Sequence, residues 1–142
     1  ITRMLDIGVK PFLVASSLRA VMAQRLVRNI CNECREGYDP EELELRSLGL
    51  NPADYSNIQL YRGHGCQRCH QSGYKGRKGI FEIFQVDDEI QRMIFENNGA
   101  RELRIRAREM GMRTLREDGV RKVLAGITTV EEILRVTMGD EN

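Results

Sequence analysis

The sequence predicts an α+β fold that is mainly helical, and three observations lead to this fold class. Apolar residues recur at helical spacing through most of the 142-residue chain. Residues 80–86 are rich in β-branched and aromatic side chains, which is typical of a strand. Ahead of that strand, the four cysteines form two C-x-x-C pairs, which is typical of a small subdomain held together by a metal.

The two cysteine pairs are Cys31 with Cys34 and Cys66 with Cys69, separated by 31 residues. Two such pairs supply four sulfur ligands, and a tetrahedron of thiolates is how proteins hold structural Zn²⁺. We therefore predict that these four cysteines bind a structural zinc ion. Iron or cobalt could replace zinc at the same ligands. The alternatives without a structural metal are redox use of a lone C-x-x-C pair, two disulfides, or four unrelated buried thiols. Nothing in the sequence indicates secretion, so the disulfides are a weaker alternative.

Other polar residues surround the two pairs. His64 and His70 flank the second pair, but four thiolates already complete a closed site, so we predict that neither histidine is a ligand. A zinc ion with four thiolates carries a double negative charge, which nearby cations offset in many metal sites. The candidates for this role, which are otherwise ordinary surface charges, are Arg35, Arg62, Arg68, Lys75 and Arg77.

Composition limits the classes of function. The chain is 41% apolar and 30% charged, with a net charge of +1, which is normal for a soluble globular protein. A nucleic-acid-binding domain usually has a concentrated basic excess, which this charge balance does not indicate. No apolar run approaches ~18 residues, and no signal-peptide pattern is present. The sequence opens in the middle of a pattern, so we expect a piece of a longer protein.

Local patterns before the second cysteine pair predict several elements. Residues 1–8 are predicted as the end of a helix that Gly8 terminates. Residues 12–30 are predicted as one long helix from the spacing of their apolar residues. Arg25 and Arg28 would then lie in its last turns and complement the helix dipole, or one of them would contact a phosphate or a neighbouring subunit. A short helix capped by Asp39 and a strand over 57–62 follow.

The remainder of the chain is predicted to be one strand and then four short helices. The glycine-rich stretch 73–79 lacks the spacing of a P-loop and is predicted as a structural turn before the strand at 80–86. Asp87 and Asp88 begin the first of the four helices, and the second covers 100–110. Capping boxes at Thr114 and Thr129 predict the last two. We predict that these helices form a compact C-terminal bundle.

Several stretches together resemble one family, the ATPases of type II secretion and type IV pilus assembly. Residues 11–18 (PFLVASSL) and 23–28 (AQRLVR) are similar to the end of its motor core, and the four cysteines follow where that family has its zinc subdomain. Residues 73–82 (GYKGRKGIFE) resemble the segment after the second cysteine pair. Residues 115–119 (LREDG) and 125–132 (AGITTVEE) resemble the tail. The resemblance covers nearly the whole chain except about residues 38–61.

This resemblance implies a three-part organisation. Residues 1–30 would be the end of a RecA-like ATPase core, residues 31–78 a tetracysteine zinc-binding subdomain, and residues 79–142 a strand with a C-terminal helical subdomain. It also implies a hexameric motor that is cytoplasmic and peripheral to the inner membrane. Its partners would be identical subunits and the inner-membrane platform proteins of the secretion or pilus machine, with no direct contact to nucleic acid.

The sequence departs from that family in its chemistry, because it contains neither a Walker A lysine motif nor the other catalytic boxes. We therefore predict no catalytic residue here, no ATP hydrolysis by this piece alone, and no tight binding of ATP or Mg²⁺, which belong to the parent protein. The expected role is a structural zinc site that docks partners. The alternative function is a zinc-ribbon module that binds nucleic acid or an unfolded chain, for which the near-neutral charge is unfavourable.

Overall fold

A computed structural model describes residues 1–139 of the chain. Along the sequence its elements are α1 (Thr2–Asp6), α2 (Pro11–Ser17), β1 (Ala20–Ile30), β2 (Arg35–Tyr38), α3 (Glu42–Ser47), a 3-10 helix (Pro52–Tyr55), β3 (Leu60–Gly63), a second 3-10 helix (Gln67–Cys69), β4 (Tyr74–Gln85), α4 (Asp88–Phe95), α5 (Ala100–Glu109), α6 (Leu115–Leu124) and α7 (Val130–Thr137). The mixture of helix and strand confirms the predicted α+β class.

The chain divides into two compact units. The first contains Ile1–Ala23 and Glu82–Arg113, and the second contains Gln24–Phe81 and the segment from Thr114 onward. The predicted division at residues 30 and 78 stays a prediction. Helices α4 and α5 lie in the first unit and α6 and α7 in the second, so the structure does not show the four predicted helices as a single bundle.

The first unit is organised by helix packing around a small apolar core. Val14 and Ala15 of α2 are buried with Ile90 and Ile94 of α4 and with Leu103 of α5, as the spacing of apolar residues predicts. The predicted start of α4 is confirmed, because the Asp87 side chain accepts a hydrogen bond of 2.8 Å from the backbone N–H of Ile90. The α1 helix likewise ends before Gly8, whose φ of +94° suits a helix terminus.

The second unit has the larger core, to which strands and helices both contribute. Its buried residues are Val27, Leu48, Leu60, Ile80, Leu115, Val120, Val123, Val130 and Ile133. Helices α6 and α7 approach closely where Gly119 faces Ile133, because a Cβ atom at position 119 would lie 2.8 Å from the Ile133 side chain. The predicted capping box of α6 is confirmed: the Thr114 hydroxyl accepts from the Glu117 N–H, and the Glu117 carboxylate accepts from the Thr114 N–H.

Two pairs of strands complete the fold. β1 pairs with β4, and β2 pairs with β3 in antiparallel orientation, with Arg35 opposite Gly63 and Tyr38 opposite Leu60. The second pair forms the base of the excursion between the two cysteine pairs. No helix among residues 1–139 has both the length and the apolarity that crossing a membrane requires.

The predicted helix over 12–30 is wrong beyond Ser17, because the chain changes there from helix to strand. Val21, Met22 and Leu26 suggested a continuous helical stripe, yet all three are exposed on β1. The strand forms by pairing with β4, about fifty residues later, and a local pattern does not report such a distant partner. Since Arg25 and Arg28 lie in a strand, they do not complement a helix dipole.

Three smaller predictions are also corrected. The turn predicted over 73–79 is strand from Tyr74, because pairing with β1 extends β4 six residues ahead of the predicted start. Gly76, with φ of +82°, provides the irregular backbone within it. The helix predicted to start from an Asp39 cap begins instead after Glu41, because β2 stays paired with β3 as far as Tyr38. The strand predicted over 57–62 is present but runs over Leu60–Gly63.

Candidate metal centre

The two cysteine pairs lie at the same end of the β2–β3 ladder. Cys31 directly follows β1, and Cys34 directly precedes β2. Because β2 and β3 are antiparallel and Arg35 is opposite Gly63, the start of β2 lies beside the end of β3, from which the chain leads to Cys66. The backbone N–H of His64 donates to the Cys34 carbonyl at 3.1 Å and fixes this arrangement.

The second pair is held by its own short turn. Cys66 caps the 3-10 helix that ends at Cys69, and the two residues form a reciprocal box in which each sulfur accepts the backbone N–H of the other. The Cys69 Sγ also accepts from the Gly73 N–H at 3.3 Å, while the Gly73 carbonyl accepts from the Cys31 N–H at 2.9 Å. Gly73 therefore connects the two cysteine pairs through its backbone.

Glycine is required at this crossing for a steric reason. The backbones of Gly63 and Gly73 pass so closely that a Cβ atom on either residue would overlap the carbonyl oxygen of the other. Gly73 also has a φ of +75°, which disfavours residues with a side chain. This close approach brings the second cysteine pair against the first.

The four sulfur atoms have the spacing of a tetrahedral metal site. All four Sγ atoms lie within 4.8 Å of one another. Three separations are 3.9 Å for Cys31–Cys66, 3.8 Å for Cys34–Cys69 and 3.7 Å for Cys66–Cys69. A tetrahedron with Zn–S distances of ~2.3 Å has edges of about 3.8 Å. The cysteines are free rather than disulfide-bonded, so the donor set fits a metal with four thiolate ligands.

Hydrogen bonding makes the thiols chemically unequal. Burial raises the pKa of the Cys69 thiol, but the backbone N–H groups of Cys66 and Gly73 stabilise the thiolate and lower that pKa to about 6. Burial raises the pKa of the Cys34 thiol to about 12, against an opposing hydrogen bond from Gly65. Of these two thiols, Cys69 is therefore the one whose thiolate the surrounding backbone stabilises more.

The thiols also differ in exposure. Cys31, Cys34 and Cys69 are buried, with exposed fractions of 0%, 1% and 4%. Cys66 is only partly buried. Cys66 is therefore the most exposed residue of the four.

The other polar residues near the pairs have separate places. Both His64 and His70 are exposed, and the metal-type cluster found within residues 1–139 consists of the four cysteines. The Arg35 guanidinium lies 3.8 Å from the centre of the Tyr61 ring, and Arg62 forms a 2.8 Å ion pair with Glu36. The remaining three candidates for charge compensation are exposed and stay predictions: Arg68, Lys75 and Arg77.

A second polar cluster, which the sequence did not predict, lies in the same unit around Glu132. This residue of α7 is fully buried, and its carboxylate accepts five hydrogen bonds: the backbone N–H and two guanidinium N–H groups of Arg28 and two guanidinium N–H groups of Arg135. Arg28 also lies 4.1 Å from the centre of the Tyr74 ring, and the Tyr74 hydroxyl is 2.8 Å from that of Thr129. We call these five residues the Glu132 cluster.

The Glu132 cluster explains the position of one arginine that the sequence left open. Arg28 precedes Cys31 by three residues, and its side chain binds Glu132 more than a hundred positions away. The sequence pattern identified Glu132 as part of a helix cap, and the Thr129 hydroxyl does accept from its N–H at 3.2 Å. No local signal indicated that the carboxylate instead binds β1.

Comparison with known proteins gives this geometry a context. The model of the family described as type II/IV secretion system protein matches residues 1–135. The chain belongs to the type II/IV secretion system protein family. This confirms the family resemblance seen in the sequence motifs.

Curated relatives in this family match nearly the whole chain. The chain is 47% identical over 138 residues to a type IV pilus assembly ATPase PilB of Thermus thermophilus, covering 97% of this chain and 16% of the relative. It is 47% identical over 137 residues to a type II secretion system protein E of Pseudomonas aeruginosa, covering 96% and 27%. It is 44% identical over 139 residues to a type II secretion system ATPase E of Vibrio cholerae, again covering 96% and 27%.

The chain is much shorter than the relatives that it matches. The chain spans about a sixth to a quarter of the length of these relatives. Two of the three are named as ATPases. The chain therefore matches one part of these longer relatives, and its described residues include a cluster of four cysteines.

Proposed function

We propose that this chain is the C-terminal part of a cytoplasmic hexameric ATPase that drives type II secretion or type IV pilus assembly. Within it, the four cysteines hold a structural zinc ion, and the metal-pinned segment docks a partner. The observation that carries the proposal is the convergence of four sulfur atoms at tetrahedral spacing in a chain of this family.

The local architecture supports a structural rather than a catalytic metal. Four thiolates fill a tetrahedral shell and leave no position for water or substrate, which is the pattern of closed zinc sites. Cys31, Cys34 and Cys69 are buried, so the ion would be largely shielded from solvent. When bound, zinc would supply a cross-link between the two cysteine pairs. The backbone hydrogen bonds of Gly73 and His64 align those pairs for that cross-link.

The excursion between the cysteine pairs suits a docking role. It contains the β2–β3 ladder, α3 and a 3-10 helix, and its own buried apolar residues are Leu45, Leu48 and Leu60. Small substructures with few core residues commonly need a metal to stay ordered. A rigid surface of this kind could bind an inner-membrane platform protein or a neighbouring subunit of the hexamer. We propose these as its partners, at the cytoplasmic face of the inner membrane.

ATP turnover is assigned to other parts of the parent protein. The sequence contains no G-x-x-x-x-G-K-[ST] motif, so it supplies neither the backbone cradle for the phosphates nor the hydroxyl for Mg²⁺. We expect the 142-residue chain to hydrolyse no ATP above background. A turnover rate well above that of a buffer blank, retained through purification, would contradict this assignment.

The metal assignment is tested by elemental analysis of the full 142-residue chain purified without added metal. We expect one zinc per chain, and four thiols that an alkylating reagent modifies only after a strong chelator is added. The Cys31→Ser/Cys34→Ser double variant is the matched comparison and should carry no zinc. Purified chain without metal, whose thiols react freely, would contradict the proposal.

A further inference from the structure

We propose that Cys66 is an oxidation site, at which a hydroperoxide converts the metal centre into a Cys66–Cys69 disulfide and releases the ion. This inference rests on the proposed zinc site and adds a redox response to it. The reactive group is the sulfur of Cys66, and the resolving group is the sulfur of Cys69.

Among the four cysteines, Cys66 is the residue most exposed to an oxidant in solvent. The thiolate sulfur attacks a peroxide oxygen in line with the O–O bond, so the peroxide must reach the sulfur, and a sulfur enclosed by protein is protected. The exposed fractions of Cys31, Cys34 and Cys69 are 0%, 1% and 4%, whereas Cys66 is partly exposed. Of the four ligands, Cys66 is therefore the residue with the largest exposed fraction and the one that an oxidant in solvent reaches most readily.

Hydrogen bonding points to the same residue. The Cys69 sulfur accepts two backbone N–H groups, from Cys66 at 3.2 Å and from Gly73 at 3.3 Å. Each such bond withdraws electron density from a thiolate and lowers its nucleophilicity toward an external oxidant. The sulfur of Cys66 takes part in the reciprocal box of its own turn, without the additional bond from Gly73. Cys66 is thus both the more accessible and the less restrained of the two.

The resolving sulfur is already in place. The Cys66 and Cys69 Sγ atoms are 3.7 Å apart, and the reciprocal box of the 3-10 helix keeps them together. The Cys31 sulfur is 3.9 Å from that of Cys66, but it lies at the end of β1, where the backbone N–H of Cys31 is bound to Gly73. Closing a bond within one three-residue turn needs less backbone movement, so Cys69 is the preferred partner.

The reaction balances with a hydroperoxide as the only oxidant. The Cys66 thiolate attacks one peroxide oxygen, the O–O bond breaks, and an alkoxide or hydroxide leaves with the electron pair, producing a sulfenic acid on Cys66. The Cys69 thiolate then attacks the Cys66 sulfur, the S–S bond forms, and hydroxide leaves as the S–O bond breaks. Two thiolates lose two electrons in total, and one peroxide gains them. The metal, left with two thiolate ligands, dissociates.

The test uses the zinc-loaded 142-residue chain and hydrogen peroxide, with a chromogenic chelator to follow the metal. We expect about one zinc released and two thiols lost per peroxide consumed. Peptide mapping should find the Cys66–Cys69 disulfide. A sulfenic-acid trap added with less than one equivalent of peroxide should label Cys66.

Two variants that keep four metal ligands test the assignment of the reactive sulfur. Cys66→His should slow peroxide-driven zinc release at least ~10-fold, because imidazole still binds zinc but is not oxidised in this step. His70→Asn, which leaves all four cysteines in place and changes an exposed residue whose φ of 52° asparagine tolerates, is the matched control and should release zinc at close to the original rate.

The outcomes separate this inference from the zinc proposal. A chain that contains no zinc before peroxide is added overturns both. A zinc-loaded chain whose trap labels Cys31, Cys34 or Cys69, whose disulfide joins another pair, or whose Cys66→His variant releases zinc at the original rate overturns the oxidation site alone.

Discussion

The substitution Glu132→Gln tests the structural role of the Glu132 cluster. The change preserves the size of the side chain but removes its charge, and the new amide N–H₂ group cannot accept the hydrogen bonds of Arg28 and Arg135. The variant leaves the guanidinium groups of Arg28 and Arg135 beside a neutral amide, without a compensating negative charge. The carboxylate that it replaces is fully buried, while the two arginines are about half exposed. We expect the second unit to unfold more easily.

The magnitude follows from two independent estimates. Burial alone raises the pKa of the Glu132 carboxyl, but hydrogen bonds from Arg135 and Arg28 outweigh it and lower the pKa from 4.5 to about 2. That difference corresponds to about 3 kcal/mol of native-state stabilisation. Breaking a buried ion pair by removing one partner costs ~3–5 kcal/mol, and water can rehydrate part of these arginines, so we expect a loss of about 2–3 kcal/mol at pH 7.

The assay is urea unfolding of the zinc-loaded chain at several pH values, with Glu131→Gln as the matched control, since Glu131 is the exposed neighbour on the same helix. A carboxyl whose pKa is lowered in the native state stabilises the fold above its unfolded pKa, and this contribution is lost as pH falls through its folded pKa. The stability difference between the wild-type chain and Glu132→Gln should therefore be full above about pH 5 and shrink as pH falls toward 2. Equal stability of the two glutamine variants at pH 7 would refute this reasoning.

Three further predictions concern single positions. Gly73→Ala should lower the unfolding temperature and speed zinc loss to a chelator more than Gly49→Ala does. The two glycines have similar φ angles, +75° and +76°, but of the two only Gly73 would bring its new Cβ against backbone atoms. Equal effects of the two substitutions would contradict the argument from steric crowding. Thr114→Ala should cost about 1 kcal/mol of unfolding free energy by removing the α6 cap, and a loss near zero in urea titration would show that the cap is dispensable. Asp87→Asn should destabilise the first unit less than Asp87→Ala, because asparagine still caps α4 and loses only the ion pair to Arg106. If both variants lower the unfolding temperature equally, the ion pair accounts for the whole effect and the cap for none of it.

Features encoded locally were predictable from the sequence. The cap residues Asp87, Thr114 and Thr129 begin helices as predicted, because a cap depends on residues only two or three positions away. The cysteine pairs were recognisable for a similar reason, since two residues within each pair allow both sulfurs to turn toward one ion. The spacing did not reveal which sulfur would be exposed.

Features that depend on distant partners were not predictable in the same way. Residues 20–30 carry apolar residues at helical spacing, yet they form a strand because β4 pairs with them. Glu132 has the sequence context of a capping acid, yet its carboxylate binds Arg28 on β1. In both cases a partner far along the chain outweighs a correct local preference, and single-sequence periodicity contains no information about that partner.

The most direct test of the proposed metal centre is X-ray absorption at the zinc K-edge of the purified chain. The four sulfur atoms at tetrahedral spacing predict a first shell of four sulfur ligands at ~2.3 Å, without nitrogen or oxygen. A first shell containing nitrogen or oxygen ligands, or no zinc absorption edge, would contradict the assignment of Cys31, Cys34, Cys66 and Cys69 as one closed site.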